Sequence, residues 1–355
     1  MRLSLPFRSD RYRGLAISCG VLVLAEIAVV LLPELQRAWL AASLFWSAIP
    51  VGAVGLLMLM RLVPGAWDFE LQALTEAACL LQPLVWLLHL PLLLALGQLF
   101  VWTHAEPENA FQSVYLAPGF FVLRTLAWFA FLALMTWLLV FSRRAAFAVS
   151  TTGLMVYVLL SSLMAVDWLM SLDPKFHSSG FGLYWLAIQM GTALAWLIAA
   201  RLSAGRRSRQ PGLLAALLLT SLLLWAYLAF MQFFILWSGN LPVGVAWYQA
   251  RGGVLGDALL WAMAILQGLP LLLLMLPPVS GNRKVVLGLA GLAFLGKAVE
   301  IAWIVIPPVG ADGLRTLLWF AVMLCGQGAV FVMAMIAALR FRIGRRAPRT
   351  APVAA

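Results

Sequence analysis

Ala165-Val166-Asp167-Trp168-Leu169-Met170-Ser171-Leu172-Asp173-Pro174-Lys175-Phe176-His177 begins inside a long apolar run and ends in a polar turn. Its two acids, Asp167 and Asp173, stand on either side of the point where the apolar run stops, which reads as a membrane boundary. Helical spacing predicts one shared face for Asp167, Met170, Ser171 and Pro174. An acid at such a depth is costly unless it has a partner or a task. The same layout returns at Leu224-Trp225-Ala226-Tyr227-Leu228-Ala229-Phe230-Met231-Gln232, which runs on through Trp237-Ser238-Gly239-Asn240-Leu241-Pro242 to Trp247-Tyr248.

The rest of the chain fits a membrane reading. Of its 355 residues 64% are hydrophobic and only 10% charged, far from the balance of a soluble domain. Apolar runs of about 20 residues recur, each long enough to cross a bilayer. The formal charge of +11 does not point to nucleic acid, because the basic residues sit at the two ends and in short loops. Cys19, Cys79 and Cys325 lie inside apolar runs without paired spacing. With no Cys-x-x-Cys-His and no zinc or iron–sulfur pattern, the sequence predicts neither haem nor metal in this chain.

Ten spans are expected, at roughly 14–32, 39–60, 74–100, 118–141, 146–167, 181–200, 213–237, 255–277, 285–306 and 316–339. Breakers such as Pro33, Pro64-Gly65, Pro107, Pro211-Gly212, Gly252-Gly253, Pro277-Pro278 and Pro307-Pro308 separate them. The first segment follows a basic stretch, as a signal peptide would. It is long, carries Glu26 and lacks a small-residue cleavage site, so it reads as a retained span. No linker divides the chain, and 1–355 is expected to be one membrane domain. On one side fall Arg2, Arg8, Arg11, Arg13, Arg61, Arg143, Arg144, Arg201, Arg206, Arg207, Arg209, Arg283, Lys284, Arg340, Arg342, Arg345, Arg346 and Arg349. The other side holds only Arg37, Lys175, Arg251 and Arg315. Eighteen against four places both termini in the cytoplasm. Asp167–Pro174, Trp237–Pro242, Trp102–Glu108 and Trp303–Pro308 then share the opposite, periplasmic face of a bacterial inner membrane.

Several of these blocks, in order and at similar separations, resemble the ActF subunit of alternative complex III, a bacterial quinol:cytochrome c oxidoreductase, and with it the wider NrfD/PsrC-like group. They are Asp167–Pro174 with Phe181-Gly182-Leu183-Tyr184, then Trp225–Phe230 through Asn240-Leu241-Pro242 to Trp247-Tyr248 and Arg251. Leu74–Ala78, Leu90-Pro91-Leu92, Trp102 and Trp303 before Pro307 add to them, and the match runs from about Phe45 to Pro308. The resemblance implies an all-α polytopic fold of two four-helix bundles, 39–167 and 181–306, flanked by a first and a last helix. It also implies menaquinol or ubiquinol as the ligand, and iron–sulfur, cytochrome c and NrfD-like paralogous subunits as partners in the bilayer. The chain departs from the family pattern at three places. Val243-Gly244 stands where an acidic pair is usual, Arg209-Gln210-Pro211-Gly212 opens span seven, and Gln267-Gly268-Leu269-Pro270 replaces a His-containing run.

Polar residues inside the spans supply the candidates. Asp167 either takes a quinol proton or is an interfacial acid paired with Arg124. Lys297 and Glu300, three apart on span nine, are close enough to pair; they serve as a relay or quinone contact, or as a structural ion pair. His89 either bonds a quinone carbonyl or makes an interhelical bond, and it shares a face with Gln82, while Glu76 and Gln98 project elsewhere. Asp173, a turn initiator by residue type, joins His89, Trp168 and Arg124 as a candidate cofactor-binding residue. Glu76 and Glu26 are candidate steps of a proton path from the inside. The loop residue His177 has an imidazole suited to proton transfer, although an exposed loop histidine is usually uncommitted. Most of the 16 Trp are explained as an interfacial belt.

The expected function is that of a membrane subunit of a quinol-oxidising electron-transfer complex, without a redox metal of its own. It would border a quinol near the periplasmic face and conduct protons. The alternatives are a non-catalytic scaffold for a cytochrome complex, and a secondary transporter. Against the transporter, the sequence shows no Gly/Pro-rich break midway along a span, flanked by charge.

Overall fold

A computed structural model of the chain describes residues 9–107, 109–142, 146–173, 175–204, 210–239, 242–306 and 310–346. Among them there is no strand, and fifteen α-helices follow one another. They are α1 (Ser9–Leu31), α2 (Pro33–Leu62), α3 (Ala66–Cys79), α4 (Gln82–Leu94), α5 (Leu96–Leu99), α6 (Ala110–Tyr115), α7 (Pro118–Trp137), α8 (Ala146–Trp168), α9 (Phe181–Ser203), α10 (Pro211–Ser238), α11 (Pro242–Gln249), α12 (Gly253–Leu274), α13 (Pro277–Ser280), α14 (Arg283–Val305) and α15 (Gly310–Arg346). Eight described helices are long and apolar enough to cross a membrane, and α3 with α4 makes a ninth if the bent pair is one span. The protein is therefore an all-α, multi-pass membrane protein. The first expected span falls on α1, whose Gly20–Leu31 part is apolar but too short to cross alone.

Local sequence sets the helix limits. Pro33, Pro118, Pro211 and Pro277 occupy first-turn positions, where a missing N–H costs nothing. Asn282 caps α14 through its side chain, which accepts from the Lys284 and Val285 amides. One expected span needs correction. The run 74–100 is not a single rod: α3 and α4 meet at a 42° bend at Leu80-Leu81, just ahead of Gln82-Pro83. The Pro83 nitrogen carries no hydrogen and cannot donate to the turn below, so the ladder of α3 is not continued into α4. Gln82 instead turns its amide inward, donating to the Pro50 carbonyl at 2.9 Å.

The long helices form two rings. In the first, α2 packs on α3 and α4, α4 on α7, α7 on α8, and α8 back on α2. In the second, α9 packs on α10, α10 on α12, α12 on α14, and α14 back on α9. The opening helix of each ring lies against the other ring: α2 meets α9 and α14, and α9 meets α8. Helices α1 and α15 lie outside, against α2 with α4 and α2 with α3 respectively. Thus α2 is the axis of the molecule, with 89% of its apolar window buried, against 22% for α12. Its crossing with α9 depends on Gly52, where a Cβ would lie 2.6 Å from the Gln189 carbonyl oxygen and 2.8 Å from the Ala193 Cβ.

The two ends of the rings differ in charge. At one end Arg61 and Arg342 both reach Glu76 (3.4 and 2.6 Å), Arg201 reaches Glu70 at 2.6 Å, and Arg283 caps the carbonyls of Leu202 and Ala204 at the end of α9. Because Arg61 and Arg201 close α2 and α9 and both meet α3, those two helices run in the same sense. Asp167, Arg251 and the 101–117 segment lie at the opposite end.

Candidate functional site

Asp167 is the penultimate residue of α8 and almost completely buried, at 1% exposure. Arg124, in the second turn of α7, meets it in a fork: Nε donates to Oδ2 at 2.8 Å and Nη2 to Oδ1 at 2.9 Å. The phenol of Tyr115 donates to Oδ1 at 3.0 Å, while Arg124 Nη1 donates to the Tyr115 carbonyl at 2.8 Å. The guanidinium also lies 4.0 Å from the Tyr115 ring centre and 4.6 Å from that of Phe120. Planar, bidentate recognition of this kind is what arginine does and lysine does not. Burial, reinforced by the Asp167 charge, pushes the Tyr115 phenol up to about 12, so it stays a neutral donor. A carboxylate offers about four acceptor positions. Three are occupied here, and one at Oδ2 remains.

This cluster forms part of the wall of a cavity of about 550 Å³. Trp102, Phe111, Leu116, Phe121, Met170 and Phe176 supply apolar walls, and Glu106, Gln112, Ser171, Asp167 and His177 supply polar edges. Its position follows from local chain geometry. Helix α8 stops at Trp168, and the tight helical turn Met170–Leu172 swings Ser171 back so that its hydroxyl donates to the Asp167 carbonyl. On the other side, Asn109 caps α6 and holds the 110–115 turn across the opening. A volume of several hundred Å³ with apolar walls and few polar groups is typical of small-molecule sites.

The Lys297–Glu300 pair lies elsewhere, inside the second ring. Glu300 is wholly buried and takes four donors. Tyr184 and Trp225 (2.6 Å) reach Oε1, while Gln267 (3.0 Å) and Lys297 (3.0 Å) reach Oε2. Lys297 also sits 4.4 Å from the Trp225 ring centre. All acceptor positions of Glu300 are filled, so the pair resembles a satisfied structural ion pair more than a site with room for a ligand.

The remaining candidates are scattered. His89 bonds the Val85 carbonyl one turn back on its own helix at 2.8 Å, so its bond is not interhelical. It faces a cavity of only about 30 Å³, shared with Ser47, Gln189 and Trp168. That holds two waters at most and no quinone ring. Trp168 lines this small cavity, donating to the Thr125 hydroxyl at 3.2 Å and meeting the His89 ring edge-on at 5.0 Å. Asp173 accepts from the Lys175 amide at 3.3 Å, as a turn initiator does. Pro174, expected on the Asp167 face, lies outside the described residues. Glu76 is held by two arginines at the basic end, and Glu26 on α1 has a buried oxygen without a hydrogen-bond partner.

Asp167 and Arg124 are thus brought together with Tyr115, Trp168 turns to Thr125 and His89, and Glu300 and Lys297 form a separate cluster. Sequence reasoning missed Tyr115 altogether, and missed Tyr184, Trp225 and Gln267 as the partners of Glu300. Tyr115 stands 52 residues from Asp167, and Tyr184 116 from Glu300. Gln267, in place of a family histidine, was the only such signal. Among the described residues no group of three or more His, Cys, Asp or Glu side chains is placed to hold a metal ion.

No protein-family model and no curated protein matches this chain.

Proposed function

We propose that this chain is an integral membrane subunit of a quinol-oxidising electron-transfer complex of the alternative complex III type. In this reading it sits in a bacterial inner membrane with both termini cytoplasmic and borders menaquinol or ubiquinol at the Asp167 pocket. The observation that carries the reading is the pocket itself: about 550 Å³, aromatic walls, and a buried carboxylate with one free acceptor position at its edge. A hydroquinone needs flat apolar walls for its ring and a polar group at the hydroxyl. The charge asymmetry between the ends of the rings supports placing that pocket on the outer face. Electrons leave through iron–sulfur and cytochrome c subunits beside an NrfD-like paralogue, and protons leave outward.

The test is purification of the tagged protein from its own membranes in mild detergent, read by haem absorbance, partner mass spectrometry and quinol-dependent reduction of cytochrome c. Haem-bearing and iron–sulfur partners with quinol turnover support the reading. A protein that emerges alone and inactive overturns it. A second reading, a non-catalytic scaffold in such a complex, is favoured by the four filled positions of Glu300. It predicts copurification with turnover unchanged when Tyr115 and Asp167 are replaced.

A further inference from the structure

The function proposed above leaves open which group receives the quinol proton, and the geometry points to a residue other than Asp167. We infer that His177 is the proton acceptor of the pocket, and that Asp167 with Arg124 and Tyr115 is a positioning cluster. The inference rests on the quinol reading. Asp167 is almost wholly buried, and three of its four acceptor positions are taken by Arg124 and Tyr115. It can hold a hydroxyl at its last position, but a proton left there would disrupt the fork to Arg124. His177 lines the same pocket and is exposed to solvent. Among the described residues its ring has no hydrogen bond or ion pair. A group that releases protons outward must face both the pocket and bulk water, and His177 lines the one and is open to the other.

The surrounding charges are modest in number. Glu106, Tyr115 and Asp167 share the pocket wall, while Asp173 and Lys175 stand beside His177 in its own loop. In each half-reaction an O–H bond of the hydroquinone breaks, the proton passes to an imidazole nitrogen and then to water, and the electron passes to a partner's iron–sulfur or haem acceptor. Two such steps give the quinone, two protons and two electrons. Imidazole is the side chain best suited to accept and release a proton near neutral pH.

The test uses the intact purified complex with a short-tailed ubiquinol and a short-tailed menaquinol as probes. His177→Gln is expected to lower kcat by about 100-fold, the low end of general-base effects. KM stays within about twofold, the acid limb of the pH profile is lost, and added imidazole restores turnover in part. Equal kcat and an unchanged pH profile in His177→Gln, with the wild-type complex active, would overturn the inference and leave the quinol reading standing. Absence of both turnover and binding in the wild type would overturn the reading and the inference together. Tyr115→Phe serves as the contrast: it is expected to raise KM while keeping the pH profile.

Discussion

Replacing Asp167 by Asn removes one charge and leaves the shape. The structure sets the expected cost. Arg124 is 12% exposed and Asp167 1%, so neither charge is well screened by solvent. The carboxylate now takes three donors, two of them from Arg124. An Asn side chain offers one oxygen to this set and turns an N–H₂ toward the guanidinium. Leaving a buried charge without its partner costs about 3–5 kcal/mol. We expect about 3 kcal/mol here, because the remaining oxygen keeps part of the set. Arg124→Met should cost as much or more, since it also loses the bond to the Tyr115 carbonyl and the contact with two rings. The double variant removes both charges and should cost less than the sum, with a coupling of about 2 kcal/mol. Equilibrium unfolding in mixed dodecyl maltoside and SDS micelles, followed by tryptophan fluorescence, measures all four corners of the cycle. A single-variant loss under about 0.5 kcal/mol, or additivity within that margin, would refute a desolvated, forked ion pair.

Three further outcomes are expected. Lys297→Met strands Glu300 in the interior and should destabilise by about 3–5 kcal/mol, while Lys297→Met with Glu300→Gln should recover much of that in the same unfolding assay. Gly52→Ala forces a methyl onto the Gln189 carbonyl and should cost about 1–3 kcal/mol; Gly291→Ala, with nothing within 4 Å of its Cβ, is the neutral control in a thermal-melt comparison. Tyr115→Phe should cost about 1.5 kcal/mol, the lower end for a hydrogen bond to a charged group. Since the folded phenol sits near 12, above its ordinary value of about 10, its contribution is complete below pH 10 and lost only as pH rises through 12. The wild-type minus Tyr115→Phe difference should therefore be flat between pH 6 and 9.

Helix position was largely legible in the sequence, because twenty-residue apolar runs and prolines at their starts are local signals. The spans expected at 118–141, 146–167 and 181–200 fall on α7, α8 and α9 within a few residues. The bend in 74–100 was less legible, since Leu80-Leu81 carries no marker of its own and Pro83 is compatible with the first turn of a helix. The Asp167–Arg124 pairing was weighed from residue depth, and Lys297 with Glu300 from their three-residue spacing on one helix. Their remaining partners were not, because Tyr115, Tyr184 and Trp225 come from distant helices and look like members of an aromatic belt. The pocket was legible only as a boundary. Its volume arises from where α8 stops and how α6 crosses the opening, which no local pattern encodes.

The burial of α2 has a consequence for how the chain is made. Its closest neighbour, α9, begins 119 residues after α2 ends. At ordinary elongation rates of about 5–20 residues per second, roughly 6 to 24 seconds separate the two. During that interval Gly52 faces acyl chains instead of the Gln189 backbone. Gln36 and Ser43 must also wait, since Gln36 pairs with Gln98, Ser43 bonds the Leu88 carbonyl, and Ser43 also accepts from Gln327, midway along α15. The helix that becomes the axis of the finished protein is thus the one that stays longest in a half-assembled state. Variants at Gly52 should betray themselves first as nascent chains removed by membrane proteases, before any loss of activity in the molecules that mature.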